Sequence, residues 1–311
     1  MIPILSIKRP IVLVLSIIAL ILIGQIGVAK EKDQFKWNLS LRIAGGLRYM
    51  RVGDLNDHIK SFDDYMSNSI YFYEGGKMRL IGRSGSCFEA ELMIEIRPRL
   101  SVVIGTEYIS GANKSDFQTV GIFPFASTRW APHLLKFIVE PRVKAIPLKL
   151  GACYSLRLSS KVNFLLRGGI GYYISKGHLS KQNLIQSLDE INIPEQPEII
   201  TSYDVRGNGF GVHGGIGIEY RLTDSLFLVI DSQGRYAKIG NLKGSQTYWN
   251  SWNYDQRTEE GILYIGTRDM TQDGYGTGCP DLAVSPSQTM RKAALNFSGF
   301  SLTAGFRIRL F

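Results

Sequence analysis

The chain has 311 residues, among them 33 glycines, 15 tyrosines and 15 phenylalanines, with a mean hydropathy of −0.01. That mean is too low for a bundle of membrane helices, while the glycine and aromatic content suits strands. The formal net charge is +9, or +7 without Lys8 and Arg9. It is scattered, with no dense basic block interleaved with aromatics, so nucleic acid is not an expected partner; a solvated surface or contact with anionic lipid head groups accounts for it.

At the N-terminus Lys8 and Arg9 precede the uncharged apolar stretch Ile11 to Val28, and Gly27-Val28-Ala29 offers a small-residue cleavage site before Lys30. This is the layout of a secretory signal peptide over residues 1–29. An uncleaved anchor is the competing reading, since about 18 apolar residues just span a bilayer. No cysteine follows the run, so the lipid-attachment thiol of a bacterial lipoprotein is not expected. Residues 30–311 suit one all-β barrel domain.

Eight strands are predicted, at 36–50, 86–97, 101–109, 135–158, 162–175, 206–221, 225–239 and 295–311. Every second residue in them is apolar: Trp37, Leu39, Leu41, Ile43, Leu47 and Tyr49 in the first, Phe88 to Ile96 in the second, Phe300 to Leu310 in the last. A closed sheet with one apolar and one polar face is one of only two backbone solutions that cross a bilayer. Tight connections are expected at Pro98-Arg99-Leu100, Ser159-Ser160-Lys161 and Leu222-Thr223-Asp224. The alternate connections, 51–85, 110–134, 176–205 and 240–294, are long. Short turns on one rim and long loops on the other are the asymmetry of bacterial outer-membrane barrels, which puts both termini in the periplasm. A soluble lipocalin-like barrel could alternate in the same way, and the aromatics argue against it. Tyr49, Phe88, Tyr108, Phe137, Tyr172, Phe210, Tyr236 and Phe300 share the apolar parity at the long-loop rim, with Trp37, Phe164 and Tyr220 at the other. Amphipathic rings gathered at two heights mark head-group depth.

The fourth strand changes parity. Phe137, Val139, Val143 and Ala145 are odd, whereas Leu148, Leu150, Ala152 and Tyr154 are even, so a β-bulge is expected near Ile146-Pro147-Leu148. In the loops, Asp54 is a candidate cap for a helix presenting Leu55, Ile59, Phe62 and Met66. Leu184, Leu188 and Ile191 are also at helical spacing. The run Ile262 to Ile265 suggests a hairpin extending the sheet beyond the membrane, and Tyr248, Trp249, Trp252 and Tyr254 are expected to pack against other loops, with contact to a ligand or partner as the alternative. Cys87, Cys153 and Cys279 form an odd set with no metal-site spacing; a Cys87–Cys153 bridge is conceivable, but incidental thiols are the expectation.

The chain closes on Thr303-Ala304-Gly305-Phe306-Arg307-Ile308-Arg309-Leu310-Phe311. This resembles the sorting signal read by the outer-membrane barrel assembly machinery, with Thr303, Gly305, Ile308 and Leu310 at its positions and Phe311 one residue out of the terminal-aromatic register. Residues 30–311 resemble small eight-stranded outer-membrane barrels of the OmpA or OmpX type. The resemblance implies an antiparallel up-and-down transmembrane barrel in a bacterial outer membrane, in contact with outer-membrane lipid and lipopolysaccharide, and monomeric. It does not rest on a catalytic motif, and such folds host several unrelated activities; unlike in the full OmpA arrangement, no soluble peptidoglycan-binding domain is expected after the barrel.

On the inner parity stand Arg42, Arg48, Glu89, Glu91, Glu95, Arg97, Glu107, Glu140, Arg142, Lys144, Arg167, Glu219, Arg221, Asp231, Arg235, Arg307 and Arg309. Eight strands leave a lumen only wide enough for side chains, and buried charges must pair. A charge network that fills the barrel is therefore expected, with a narrow gated pore as the alternative; inner glycines such as Gly215 and Gly217 leave room for bulky arginines or water. Of His58, His133, His178 and His213, only His213 lies in a predicted strand, inward and near Glu219 and Asp231 in sequence, where a lumen-filling histidine is the expectation; His58 and His133 have no recognisable catalytic partner motif. No enzymatic activity, cofactor or metal is expected. A structural or surface-interaction role through four long extracellular loops, with an unidentified ligand, is the reading; a small-solute channel is second and a lipid-modifying enzyme third.

Overall fold

A computed structural model describes residues 38–68, 72–73, 78–124, 130–187, 198–251, 253–270, 276–284 and 290–310. The expected signal peptide, Trp37, Leu188, Ile191, Trp252 and Phe311 lie outside these residues, as do the side chains of Met66, His133 and Cys279. In chain order the elements are β1 (Asn38–Gly53), α1 (Asp54–Asn68), β2 (Phe72–Tyr73), β3 (Ser84–Arg97), β4 (Leu100–Ala112) and β5 (Ser115–Pro124). There follow β6 (Trp130–Arg157), β7 (Val162–Ser187), β8 (Glu198–Arg221), β9 (Leu226–Ile239), β10 (Lys243–Asn250) and β11 (Asp255–Ile262). The last are β12 (Tyr264–Met270), β13 (Gly276–Ala283), β14 (Arg291–Lys292) and β15 (Leu295–Arg309).

Eight of these strands form a closed antiparallel ring, β1-β3-β4-β6-β7-β8-β9-β15, and β15 pairs back onto β1 from Ser40↔Arg309 to Gly53↔Leu295. Closure leaves the ring no unpaired edge, the condition for crossing hydrocarbon. The three tight turns fall on one rim. Arg99 takes a left-handed φ of 75° in the first, and the others close through Leu158 N–H to the Val162 carbonyl and Leu222 N–H to the Leu226 carbonyl, both at 2.9 Å.

The outer wall of the ring is apolar. Leu47 is 70 % exposed and Phe210 71 %, and Ile43, Ile104, Leu150, Leu166, Ile170, Ile216, Ile218, Ile230, Leu302 and Phe306 also face outward. So large an apolar surface, broken in the wall by neutral residues such as Ser232 and Thr106, is what a lipid-facing wall presents and a water-facing one does not. Leu39 and Leu92 share this parity yet are buried. The long-rim aromatics meet across strands: Tyr49 stacks on Phe300 at 5.6 Å, Tyr172 lies 5.1 Å from Phe210, and Phe88 is opposite Tyr108.

Three ring strands continue far past that aromatic level. β6, β7 and β8 run 28, 26 and 24 residues, where about ten cross a bilayer. Their outer halves recruit new neighbours: β5 pairs Ser115–Pro124 onto β6, and β10 pairs Lys243–Asn250 onto β8 and carries β11. Segments expected as loops are therefore largely sheet, including the 243–262 hairpin. Leu184 belongs to β7 and not to a helix.

The predicted bulge at Pro147 is absent. β6 keeps one unbroken register with β7 from His133↔Ser187 to Arg157↔Asn163. Odd residues point inward throughout, so Phe137, Val139, Val143 and Ala145 are buried and Leu148 and Leu150 face out. What changes along β6 is the medium. Below Pro147 the lumen is ionic and the outside is lipid; above it the inside is an apolar core and the outside is aqueous. That upper core gathers Met50, Ile81, Ile109, Phe137, Val143, Tyr173, Tyr203, Ile239, Leu263, Leu295 and Phe297 around Leu55 and Ile59 of α1. Phe137 is accordingly a core residue, in edge contact with Phe62 at 6.1 Å, and not part of the girdle.

Candidate functional site

The lower lumen holds four buried cations, Arg42, Lys149, Arg167 and Arg235, and four buried carboxylates, Glu89, Glu91, Glu107 and Asp231. Arg42 on β1 sits at the centre. Its Nη1 donates to Glu89 Oε1 at 2.9 Å and Glu91 Oε2 at 2.8 Å, and its Nη2 reaches Asp231 and Thr303 Oγ1. The Thr303 hydroxyl in turn donates to Asp231 Oδ1 at 2.7 Å. From β7, Arg167 Nη1 bridges Glu91 at 2.7 Å and Asp231 at 3.4 Å. Lys149 on β6 lies 3.1 Å from Glu107 and 3.6 Å from Glu89, and donates to Gln233 Oε1 at 3.1 Å. Arg235 donates to Glu107 Oε1 at 2.6 Å. Toward the short-turn rim Arg307 makes a two-pronged pair with Glu219, at 2.6 and 2.7 Å, while its guanidinium lies 4.2 Å from the Phe227 ring centre.

Every ring strand contributes to this assembly, and the central eight charges balance. A neutral, mutually hydrogen-bonded set is the form in which ions tolerate burial, because an uncompensated one costs several kcal/mol. Inner glycines make the room: a Cβ on Gly105 would lie 2.7 Å from Glu91 Cγ, and one on Gly217 would lie 2.7 Å from Asp231 Cβ. Gly105 and Gly217 are small because the acids opposite them are not.

Several residues assigned to the lumen from parity stand elsewhere. Glu140, Arg142 and Lys144 face outward on the extramembrane half of β6, where Glu140 pairs with Lys114 and Arg142. The odd-parity assumption above Pro147 inverted them. Glu95 is at the turn rim, accepting from Asn38 Nδ2 at 2.7 Å, and Arg97, Arg221 and Arg309 are exposed there. Arg48 lies one layer above the network, its Nε donating to the Ser86 carbonyl at 3.0 Å. Lys149 is the member that parity reading missed, although its place between outward Leu148 and Leu150 signals it. Of the terminal segment, Thr303 joins the network, Gly305 backs onto Ala44, and Ile308 and Leu310 face out. Phe164 and Tyr220 occupy outward positions near the turn rim, and Tyr236 stands with the long-rim aromatics.

A second closure lies above. Val52 and Gly53, with φ of 69° and 84°, turn the chain from β1 into α1. A β-branched residue there costs about 1–3 kcal/mol. The Asp54 carboxylate is engaged away from its own helix, in place of the expected cap. It takes both Arg291 Nη atoms and the Ala294 N–H, each at 2.7 Å, fixing α1 to the segment leading into β15. Asn56 exchanges hydrogen bonds with Ile81, N–H to Oδ1 at 2.8 Å and Nδ2 to the carbonyl at 3.3 Å. His58, on α1 itself, is buried with its Nε2 against Lys181 Nζ. Burial first, and then the Lys181 charge, hold its imidazole well below the usual histidine range.

His213 faces the lumen opposite Arg235, with its Nδ1 buried and without a hydrogen-bond partner among the described residues. His178 meets Asp204 at 2.9 Å on the exposed outer face. Cys87 and Cys153 are separate buried thiols.

No protein-family model matches the sequence, and no curated protein matches it. Among solved structures, the chain is similar to a major outer membrane protein from Thermus thermophilus, with 12% identity and a TM-score of 0.40 over 89% of this chain and 100% of that one. It is similar to OprG from Pseudomonas aeruginosa, with 10% identity and a TM-score of 0.35 over 90% and 99%. It is also similar to Ail, the attachment invasion locus protein of Yersinia pestis, with 12% identity and a TM-score of 0.31 over 87% and 99%. The closed register and the apolar outer wall define the fold independently: an eight-stranded antiparallel transmembrane β-barrel of outer-membrane type.

Proposed function

We propose that this chain is exported through its N-terminal signal and resides in an outer membrane as a sealed barrel, its working surface being the structure carried outside the membrane. The observation that carries this reading is the double filling of the lumen. The ionic layer from Arg42 to Arg235 occupies the membrane section, and the α1 helix with its apolar core occupies the section above. An eight-stranded ring has little interior to spare. The length of β6 to β8, extended by β5, β10 and β11, is unnecessary for crossing a bilayer and creates a rigid platform suited to contact with other molecules.

Single-channel recording on the purified chain in planar bilayers tests this. No steady conductance is expected from the full chain, and a reproducible open level would replace the sealed-barrel reading with a solute channel. Protease trimming of the outer segments on intact cells, followed by adhesion and permeability assays, is expected to alter adhesion alone.

A further inference from the structure

Just above the long-rim aromatics, four cations stand directly opposite one another across four neighbouring strands. Lys144 on β6 is opposite Lys176 on β7, Lys176 is opposite Arg206 on β8, and Arg206 is opposite Lys243 on β10. All four are on the outward face; Lys144, Arg206 and Lys243 are exposed and Lys176 is half-buried. Adjacent strands lie about 4.8 Å apart, and like charges placed directly opposite destabilise a sheet. Among the described residues none of the four makes an ion pair with a carboxylate, although Asp204 and Glu260 line the groove beside Arg206 and Lys243. The nearest on β8, Asp204, is hydrogen-bonded to His178, and Glu140 on β6 is taken by Lys114 and Arg142. A row of this kind is a cost to the isolated fold that an external anion removes.

The height of the row identifies the anion. Tyr172 and Phe210, a directly opposed pair in the girdle, lie four residues below Lys176 and Arg206 on the same two strands. Four residues are about 13 Å of strand, or roughly 10 Å along the membrane normal at a strand tilt near 40°. Long basic side chains reach back down from there to the head-group layer. At the β10 end the row opens into a groove of about 620 Å³ lined by Arg206, Lys243, Ser245 and Ile262 and equally by the acids Asp204 and Glu260. The two acids disfavour an anion inside that groove, so the phosphate seat is the cation row itself.

We propose that Lys144, Lys176, Arg206 and Lys243 form a binding strip for the phosphate groups of outer-leaflet glycolipid, holding the barrel at a fixed depth and orientation. This rests on the outer-membrane reading above.

The test uses the full mature chain folded into phosphatidylcholine nanodiscs doped with lipopolysaccharide, either intact or enzymatically dephosphorylated. Retained lipid is counted by native mass spectrometry, and a fluorescent lipid A competes for it. Intact lipid is expected to be retained and dephosphorylated lipid is not. Each of Lys144→Gln, Lys176→Gln, Arg206→Gln and Lys243→Gln is expected to weaken retention about fivefold, and all four together several hundredfold, the scale of about 1 kcal/mol per surface cation. Lys161→Gln on the turn rim is the control and should change nothing. In lipid lacking phosphate esters beyond the phosphatidylcholine zwitterion, the fourfold variant should unfold at higher urea than the parent, because the repulsion is gone. Equal retention by parent and fourfold variant overturns the proposal, as does displacement by millimolar inorganic phosphate, which would make the strip a soluble-anion site. If the fourfold variant does not fold, Lys176→Gln with Arg206→Gln decides by the same ratio. Folding of the parent into vesicles, read by heat-modifiable gel mobility, separately reports the membrane reading, so its failure is distinguishable from loss of phosphate selectivity.

Discussion

Replacing Arg42 by methionine probes the assumption on which the sealed lumen depends. The side chain fills a similar volume but removes the positive charge shared by Glu89, Glu91 and Asp231, together with hydrogen bonds at 2.9, 2.8 and 3.1 Å to Glu89, Glu91 and Thr303. Four cations face four carboxylates before the change. Afterwards one negative charge is unbalanced in a buried lumen, and removal of one partner from a buried set costs about 3–5 kcal/mol. Arg167 still reaches Glu91 and Asp231, and Lys149 still reaches Glu89, so the lower end of that range is expected. Adding Glu89→Gln restores neutrality, and the double variant should be more stable than the sum of the single effects by about 0.5–3 kcal/mol. Urea unfolding of the protein in phosphatidylcholine vesicles, followed by heat-modifiable mobility and tryptophan fluorescence, measures both. An unchanged midpoint for Arg42→Met, or strictly additive single effects, would refute the view that the lumen is an interdependent ionic layer.

Other outcomes test different levels of the structure. Leu150→Arg, on the lipid-facing wall, should cost about 2–4 kcal/mol in the same unfolding assay, whereas Arg142→Leu, on the same face but above the girdle, should change stability by well under 1 kcal/mol; equal costs would move the membrane boundary. Phe137→Ala should cost about 3–5 kcal/mol because it opens a cavity in the core above the membrane, while Phe210→Ala, outward at 71 % exposure, should not produce such a cavity. Gly217→Ala places a methyl 2.7 Å from Asp231 Cβ and 3.0 Å from the Ile230 carbonyl oxygen, and a cost of about 1–3 kcal/mol is expected. The folded state holds His58 below its ordinary range, so the unfolded chain binds the proton first as pH falls. The stability that neutral His58 contributes is therefore complete above about pH 6.5 and declines below it, by up to about 1.4 kcal/mol per pH unit until the folded-state value is passed. The hydrogen-exchange protection factors of α1, which correct for the slower intrinsic exchange at low pH, should fall between pH 7 and 5, and His58→Leu should remove most of that change.

Much of this architecture is legible in the sequence because strand periodicity is local. The alternation from Ile43 to Leu47, the short turns at Pro98 and Leu222, and the aromatics at strand ends fix which side chains share a face, how many strands cross and which rim carries the long connections. The outer wall also reads directly, since lipid demands a predominantly apolar face. Periodicity tells which side of the sheet a residue occupies but not what medium fills that side. On β6 the apolar residues change parity while the backbone does not, because Phe137 and Val143 face a core built by α1, β15 and residues more than a hundred positions away. For the same reason alternation alone places Glu140 and Arg142 in the lumen, although both face outward. The pairing of Arg42 with Asp231, the room left by Gly217, and the alignment of Lys144, Lys176, Arg206 and Lys243 in one row depend on interstrand register. That register is set by closure of the whole ring, so only the tertiary structure could decide them.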